Sequence, residues 1–392
     1  VWHVPSASCM AYAGAYGAAT SSSVAPARLR PRVAAARAPR SRPQQSVDAR
    51  ALAAIALPLI GAPLSVAALL AAERSGMWAR GVRADPTDWP SSAWRWSGAR
   101  GVELFADGDV RVLSHAAGEW RTLRLGASVQ SAARCSRAAG GVDPTAPAFP
   151  YVKVMASLAA ALALVPCAES SAALEPVRAL FLGGGACSLP RLLESALAPR
   201  AAYRDGRVTL TVVELDARVA QAAREWFGVG AGDGTLVQIQ IADAQSALER
   251  FAGADFDLVC VDIFGKDNAQ PGAFATSERW LRQVRAAVRP GGVVLANFHS
   301  GTDEARAVLR DGLRAYAGVF AASSAWRVHE QANVVVAAAV GGHAAELLSK
   351  AGGFEPGALD ELASRAELVA RRGGWQFDVR TALKRSAPTR RA

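Results

Sequence analysis

The sequence predicts an α/β fold in which a mostly parallel sheet, covered by helices on both faces, closes in an antiparallel hairpin and follows a small β-rich region. Three observations predict it. Apolar runs of strand length alternate with helix-length stretches from Val177 onward. The last two runs are separated by only Gln331 and Ala332, so they must be antiparallel neighbours. Upstream, Val102–Leu113 is two short alternating runs split at Asp107-Gly108, a hairpin signal.

In order, the β-rich region covers 98–150. Its hairpin is followed by an alternating run at Trp120–Gln130 and by Ser131–Ala148, which reads as loop because of Gly140-Gly141, Pro144 and Pro147. A helix is expected over Pro150–Leu164, with Val154, Leu158, Ala161 and Leu162 at helical spacing. The main domain, 151–342, has expected strands at Val177–Leu182, Val208–Val213, Val237–Ile241, Leu258–Val261 and Val293–Ala296. Helices are expected at Pro190–Leu197, Ala217–Phe227, Gln245–Phe251, Ser277–Val288 and Asp303–Val319. The closing hairpin is Trp326–Glu330 with Asn333–Val340. Residues 343–392 read as one helix near Glu361–Arg372 and a solvated basic tail from Lys384.

Composition narrows the class. The chain has 392 residues, 51% hydrophobic and 20% charged, enough for a sizeable core. Its net charge of +10 is concentrated at the N-terminus, where residues 1–50 carry seven arginines and one acid, Asp48. That excess belongs to a leader rather than to a phosphate-binding face, and no nucleic-acid partner is expected. Five cysteines without a C-x-x-C pair support neither a disulfide framework nor a zinc ribbon, and no metal site is expected. Segment 1–50 is acid-poor and rich in Ala, Ser and Arg, as an organellar transit peptide is. A plastid is favoured over a mitochondrion, with a cytoplasmic or membrane-anchored protein as the alternatives. Segment 51–74 contains an uncharged stretch, 51–72, long enough for a span but broken by Pro58, Gly61 and Pro63. It reads as a targeting or anchor segment, with membrane association left open; 75–97 is a connector.

The chemistry sits at the strand ends, where open α/β sheets bind ligands. The first core strand runs into Gly183, Gly184 and Gly185, followed by Ala186-Cys187-Ser188, where Ser188 is placed to cap the next helix. The second ends in Glu214-Leu215-Asp216, where a carboxylate can accept from both ribose hydroxyls; Asp216 reads as a plain helix cap. The third ends in Asp243-Ala244, where a carboxylate can accept from an adenine amino group, and the fourth in Asp262. A dinucleotide is disfavoured. The turn lacks the third glycine, and Glu214 lies 31 residues beyond Gly183 rather than about 20. S-adenosylmethionine, or alternatively decarboxylated S-adenosylmethionine, fits better.

The stretches VRALFLGGGACSLPRLL, VTLTVVELDARVAQAAREWFG, VQIQIADA, FDLVCVDIF and RPGGVVLAN resemble the spermidine-synthase-like class I S-adenosylmethionine-dependent methyltransferase family. Within that group the chain is similar to spermidine-synthase-like methyltransferases, including the C-terminal half of the dual eukaryotic elongation-factor-1A methyltransferase. The resemblance implies a Rossmann-like, seven-stranded class I methyltransferase sheet. It assigns Gly183–Gly185 to the methionine portion of the cofactor, Glu214 and Leu215 to the ribose end, and Asp243 and Ala244 to the adenine. Tyr151 and Gln130 fall on the substrate side, and Asp262 is the catalytic candidate.

The departures carry as much weight. Polyamine synthases have an acid after the three glycines, where this chain has Ala186 and Cys187. Their Asp-Ser-Ser-Asp becomes Asp262-Ile263-Phe264-Gly265, and Lys153, expected to repel an incoming amine, stands where they carry a carboxylate two residues after the tyrosine. A buried diamine needs compensating carboxylates, so the expected activity is methyl transfer to a small-molecule or protein acceptor. Polyamine aminopropyl transfer and a non-catalytic binding role are the alternatives, and a homodimer is left open. Cys187 and Cys260 read as small apolar fillers, and His299 as pocket-lining or surface.

The leader reading has a direct test. Residues 1–50 fused to a reporter are expected to deliver it to an organelle in an import assay, and a reporter left in the cytosol would exclude it.

Overall fold

Gly108, at φ 60°, reverses the chain between β1 (Val102–Asp107) and β2 (Val110–His115), as Asp107-Gly108 announces. The computed structural model describes residues 101–115, 118–136, 141–164, 176–197, 208–230, 236–264, 273–329 and 331–386. The leader, the apolar stretch, the connector, Gly265 and the last six residues lie outside the described residues.

Two corrections concern the β-rich region. The run Trp120–Gln130 is not one strand but β3 (Trp120–Leu125) and the start of β4 (Ser128–Ser136), turning at Gly126, φ 59°. Ser131–Ala148 is not a loop: β4 continues to Ser136 and β5 (Gly141–Pro147) pairs with it. The prolines that argued against a strand are tolerated because β5 is an edge of the sheet β1-β2-β3-β4-β5, where a missing N–H removes no ladder bond.

After α1 (Pro150–Ala159), which passes into a π-helical turn at Ala160–Leu164, the second sheet begins. Its strands are β6 (Val177–Leu182), β7 (Val208–Glu214), β8 (Val237–Ile241), β9 (Phe256–Val261), β10 (Val288–His299), β11 (Ala322–Arg327) and β12 (Asn333–Ala339). The order is β11-β12-β10-β9-β6-β7-β8, with β12 antiparallel to both its neighbours and β6 to β10 mutually parallel. This is the seven-stranded sheet of the class I methyltransferase fold, here preceded by an antiparallel sheet. Two strands depart from expectation by three or more residues at both ends. The β10 strand starts five residues earlier, at Val288, with a register shift before Val293. The β11 strand covers Ala322–Arg327 rather than Trp326–Glu330, its Ala-Ser start giving no β-branched signal.

Helices α2 (Ser188–Leu197), α3 (Ala217–Phe227), α4 (Ala244–Arg250), α5 (Glu278–Ala287) and α6 (Asp303–Val319) connect the strands. One core joins α1 and α2 to the face bearing Leu258, Leu295 and Val335; the other joins α4, α5 and α6 to the face bearing Val259, Val294 and Val336. That alternation along each strand is why the strands read as unbroken apolar runs.

The C-terminal expectation also needs correction. Three helices follow the hairpin: α7 (Gly342–Gly352), α8 (Ala358–Gly373) and α9 (Val379–Arg385). Lys384 is no part of a free tail but pairs with Asp360 of α8 at 2.9 Å. Leu362, Ala366, Val369 and Leu383 form a stripe that completes the core over α1 and α2. Because Leu362 is fully buried there, Leu362→Ala is expected to destabilise the protein by about 2–5 kcal/mol. Urea denaturation checks it, and an unchanged midpoint would make these helices peripheral.

Candidate active site

The site forms where the sheet order reverses, between β6 and β9, whose last residues Leu182 and Val261 are register partners. Gly183 follows at φ 90°, and a Cβ there would lie 2.1 Å from the Asp262 carbonyl oxygen. Only glycine lets the two strand ends approach this closely. The Gly184 and Gly185 amides then donate to Glu214 Oε2 at 3.0 and 3.1 Å, while Asp216 N donates to Oε1 at 3.0 Å. Glu214 therefore closes the glycine turn from the neighbouring strand. Of the roughly four acceptor positions on a carboxylate, three are engaged, which leaves one for a ribose hydroxyl while the turn keeps this form.

The turn continues into Cys187, left-handed at φ 56°, whose carbonyl receives the first helical bond of α2 from Arg191 N. Cys187 and not Ser188 therefore occupies the cap position, and Ser188 is in the first turn of the helix. Burial, then the Glu214 charge, push the Cys187 thiol up to about 12, and burial raises Cys260 well above the usual thiol range. Both are inert at neutral pH, as fillers should be. Leu215 and Ile241 stay 71% and 53% exposed at the ends of these neighbouring strands, where Glu214 and Ile241 are register partners. Asp243 caps α4, accepting from Ser246 N at 3.0 Å, and Ala244 is buried behind it. Asp216 caps α3 as expected, accepting from Arg218 N at 2.9 Å.

On the other side of the turn lies a cavity of about 380 Å³. It brings together Gly183–Gly185, Asp262, Tyr151 and Gln130, with Phe264 and His299 closing one wall, their rings 5.1 Å apart. Glu214, Leu215, Asp243 and Ala244 are outside this wall, on the strand ends leading to β8. The β-rich sheet supplies the floor. Ser131 of β4 accepts the Ala186 amide at 3.1 Å, which fixes Gln130 beside the glycine turn. Gln130 Nε2 is buried and has no hydrogen-bond partner among the described residues.

Asp262 is held from two sides. The Tyr151 hydroxyl donates to Oδ2 at 3.1 Å and Asn297 Nδ2 to Oδ1 at 2.9 Å, and Asn333 Nδ2 donates in turn to Asn297 Oδ1 at 3.0 Å. Burial raises the Asp262 carboxyl above its ordinary value, against the pull of those two hydrogen bonds. Burial, then the Asp262 charge, push the Tyr151 hydroxyl well up, so it remains a donor. Burial lowers the His299 imidazole, leaving it neutral at pH 7. Lys153 does not line the cavity: its ammonium is 5.6 Å from the centre of the ring of Phe377, in the C-terminal segment that shares a core with α1. The expectation that it repels an incoming amine is therefore corrected. Sequence reasoning also missed Ser131, Asn297 and Asn333. A lone asparagine inside the apolar run VVLANF was the available signal, because a buried amide in a strand needs partners.

No family model and no curated protein matches the sequence. Among solved structures the chain is similar to a probable spermidine synthase from Corynebacterium glutamicum, at 20% identity and a TM-score of 0.49, over 67% of this chain and 85% of that one. It is similar to human methyltransferase-like protein 13 in complex with SAH, at 20% identity and a TM-score of 0.45, over 57% and 93%. The spermidine synthase of Thermotoga maritima follows at 16% identity and a TM-score of 0.42, over 64% and 78%.

The raised Asp262 pKa has a consequence for stability. The folded state binds this proton more tightly than the unfolded chain, so stability falls as the pH rises from the unfolded pKa, and the loss is complete above the folded pKa. Asp262→Asn is therefore expected to be more stable than the parent at neutral pH. Its advantage should shrink as the pH falls through the folded pKa of Asp262. Urea denaturation of both proteins at several pH values checks this, and a variant less stable at neutral pH would contradict it.

Proposed function

We propose that this chain is an S-adenosylmethionine-dependent methyltransferase whose acceptor, a small molecule or a protein, gives up its proton to Asp262. The observation that carries the reading is at the donor end of the cavity. Gln130 offers a buried amide donor without a partner, and Asp262 is the single carboxylate among the described lining residues. A buried donor calls for an acceptor on the ligand. The methionine end of S-adenosylmethionine carries a carboxylate that meets this need; the decarboxylated form carries only an ammonium, which asks for an acid where Ala186 stands.

The other residues fit the same ligand. Gly183–Gly185 leave the turn without side chains, Leu215 and Ile241 offer an apolar platform for a base, and Glu214 retains one acceptor position for a ribose hydroxyl. The cavity volume is within the range of small-molecule sites. When bound, S-adenosylmethionine supplies a sulfonium methyl carbon open to in-line attack. Asp262, aimed by Tyr151 and Asn297, takes the acceptor's proton, and its raised pKa suits a base. Phe264 and His299 exclude water from that side. A putrescine-like dication would meet one carboxylate where it needs more.

Calorimetry tests the reading. S-adenosylmethionine is expected to bind more tightly than its decarboxylated form, and Gln130→Leu to weaken it about 10- to 100-fold, the range of a hydrogen bond to a charged group. Tighter binding of the decarboxylated form, or an aminopropylated product from putrescine in mass spectrometry, would turn the assignment to aminopropyl transfer.

A further inference from the structure

We propose that Asn333 is a positioning residue for Asp262, acting through Asn297 as a relay of two side-chain amides with a fixed direction. The inference rests on the reading of Asp262 as the proton acceptor and deepens it by naming what holds that carboxylate. Asn297 is 3% exposed on β10 and Asn333 8% exposed on β12. Their strands are antiparallel, with His299 opposite Asn333 and Asn297 opposite Val335, so the two amides are diagonal neighbours on the face that carries the cavity. The distances of 2.9 and 3.0 Å make one continuous chain from Asn333 to Asn297 to Asp262.

The direction follows from chemistry. An ionised carboxylate only accepts, so Asn297 must turn its NH₂ toward Asp262. Its carbonyl oxygen then faces Asn333, which must donate. Each amide is polarised by the one before it, and the buried chain strengthens the bond on the charged oxygen. Reversing either amide would set two acceptors or two donors against each other. The relay therefore favours the ionised Asp262 and fixes its second oxygen toward Tyr151.

The other groups facing Asp262 leave this role to the amides. From α1 comes the Tyr151 hydroxyl; from β9 the Cys260 thiol, held protonated by burial; from β10 His299, held neutral. The β12 residues on this face, Asn333 and Val335, carry no charge, and the glycine turn and Gln130 bring none.

The test follows Asp262 directly and needs neither cofactor nor acceptor. The full-length chain is labelled with ¹³C-carboxyl aspartate, the Asp262 signal is assigned by its loss in Asp262→Asn, and its titration midpoint is measured. Asn297→Leu and Asn333→Leu are each expected to raise the midpoint, by about one pH unit for the first, a tenfold change in the protonation ratio. Asn333→Leu should add nothing in the Asn297→Leu background, because the relay is already cut. If the leucine variant at 333 does not fold, the isosteric Asn333→Asp serves. It forces Asn297 to turn its NH₂ away from Asp262, and its upward shift should shrink when Asn297 is leucine. An unchanged midpoint in the Asn333 variants, or a shift that persists in full in the Asn297→Leu background, would overturn the proposal. Failure of the transferase reading would show in cofactor binding and leave this midpoint cycle untouched.

Discussion

The contact on which this molecule turns is the approach of Gly183 to the backbone of Asp262. Two parallel strands whose connections leave in opposite directions open a crevice at their carboxyl ends. Here the crevice is narrow because one wall has no side chain. That closeness places the Gly184 and Gly185 amides against Glu214 on one side and the Asp262 carboxylate at the cavity wall on the other. A glycine turn, the Glu214 carboxylate and the buried Asp262 carboxylate thus share one backbone junction, and displacing it would disturb all three.

Much of this was legible in sequence. Val177–Leu182, Val237–Ile241, Ala217–Phe227 and Asp303–Val319 have the boundaries that their apolar periodicity predicts, because strands buried on both faces and amphipathic helices leave unambiguous patterns. The β5 strand was hidden by prolines that an edge strand tolerates. The helices α7 and α9 were hidden because alanine, glycine and charged residues dominate them, and Leu347, Leu348 and Leu383, which bury them in the same core as α8, are too few to mark a periodic face. In the site, residues at strand ends could be named because the fold fixes where those ends gather. The asparagine pair could not, because its meaning depends on which strands become neighbours: 36 residues separate Asn297 from Asn333, and only the antiparallel register of β10 and β12 joins them. Lys153 was misread for a related reason. Spacing along α1 fixes its distance from Tyr151 but not which partner its long stem finds.

The polar cluster around Asp262 also shows what the site costs the fold. A carboxylate enclosed among aromatic and apolar side chains is opposed by desolvation, and the amides and phenol that hold it offset that penalty without removing it. Stability given up at one buried group has to come from elsewhere in the core. The C-terminal helices are one such source, since they cover α1, the element that carries Tyr151.

The same C-terminal segment bears on how the chain completes its fold. Gln376 N donates to the Thr145 carbonyl and its amide to Asp143 and Thr145 on β5, while Trp375 Nε1 donates to Leu192 of α2. These bonds join residues that are 183 to 233 positions apart in sequence. During synthesis the β-rich sheet and α2 leave the ribosome long before residues 375–376 exist, so until then β5 has no partner along its outer edge and α2 lacks its aromatic cover. Final consolidation of the region that presents Gln130 to the cavity is thus deferred to the end of translation, and a prematurely terminated product would emerge with that edge open to other chains.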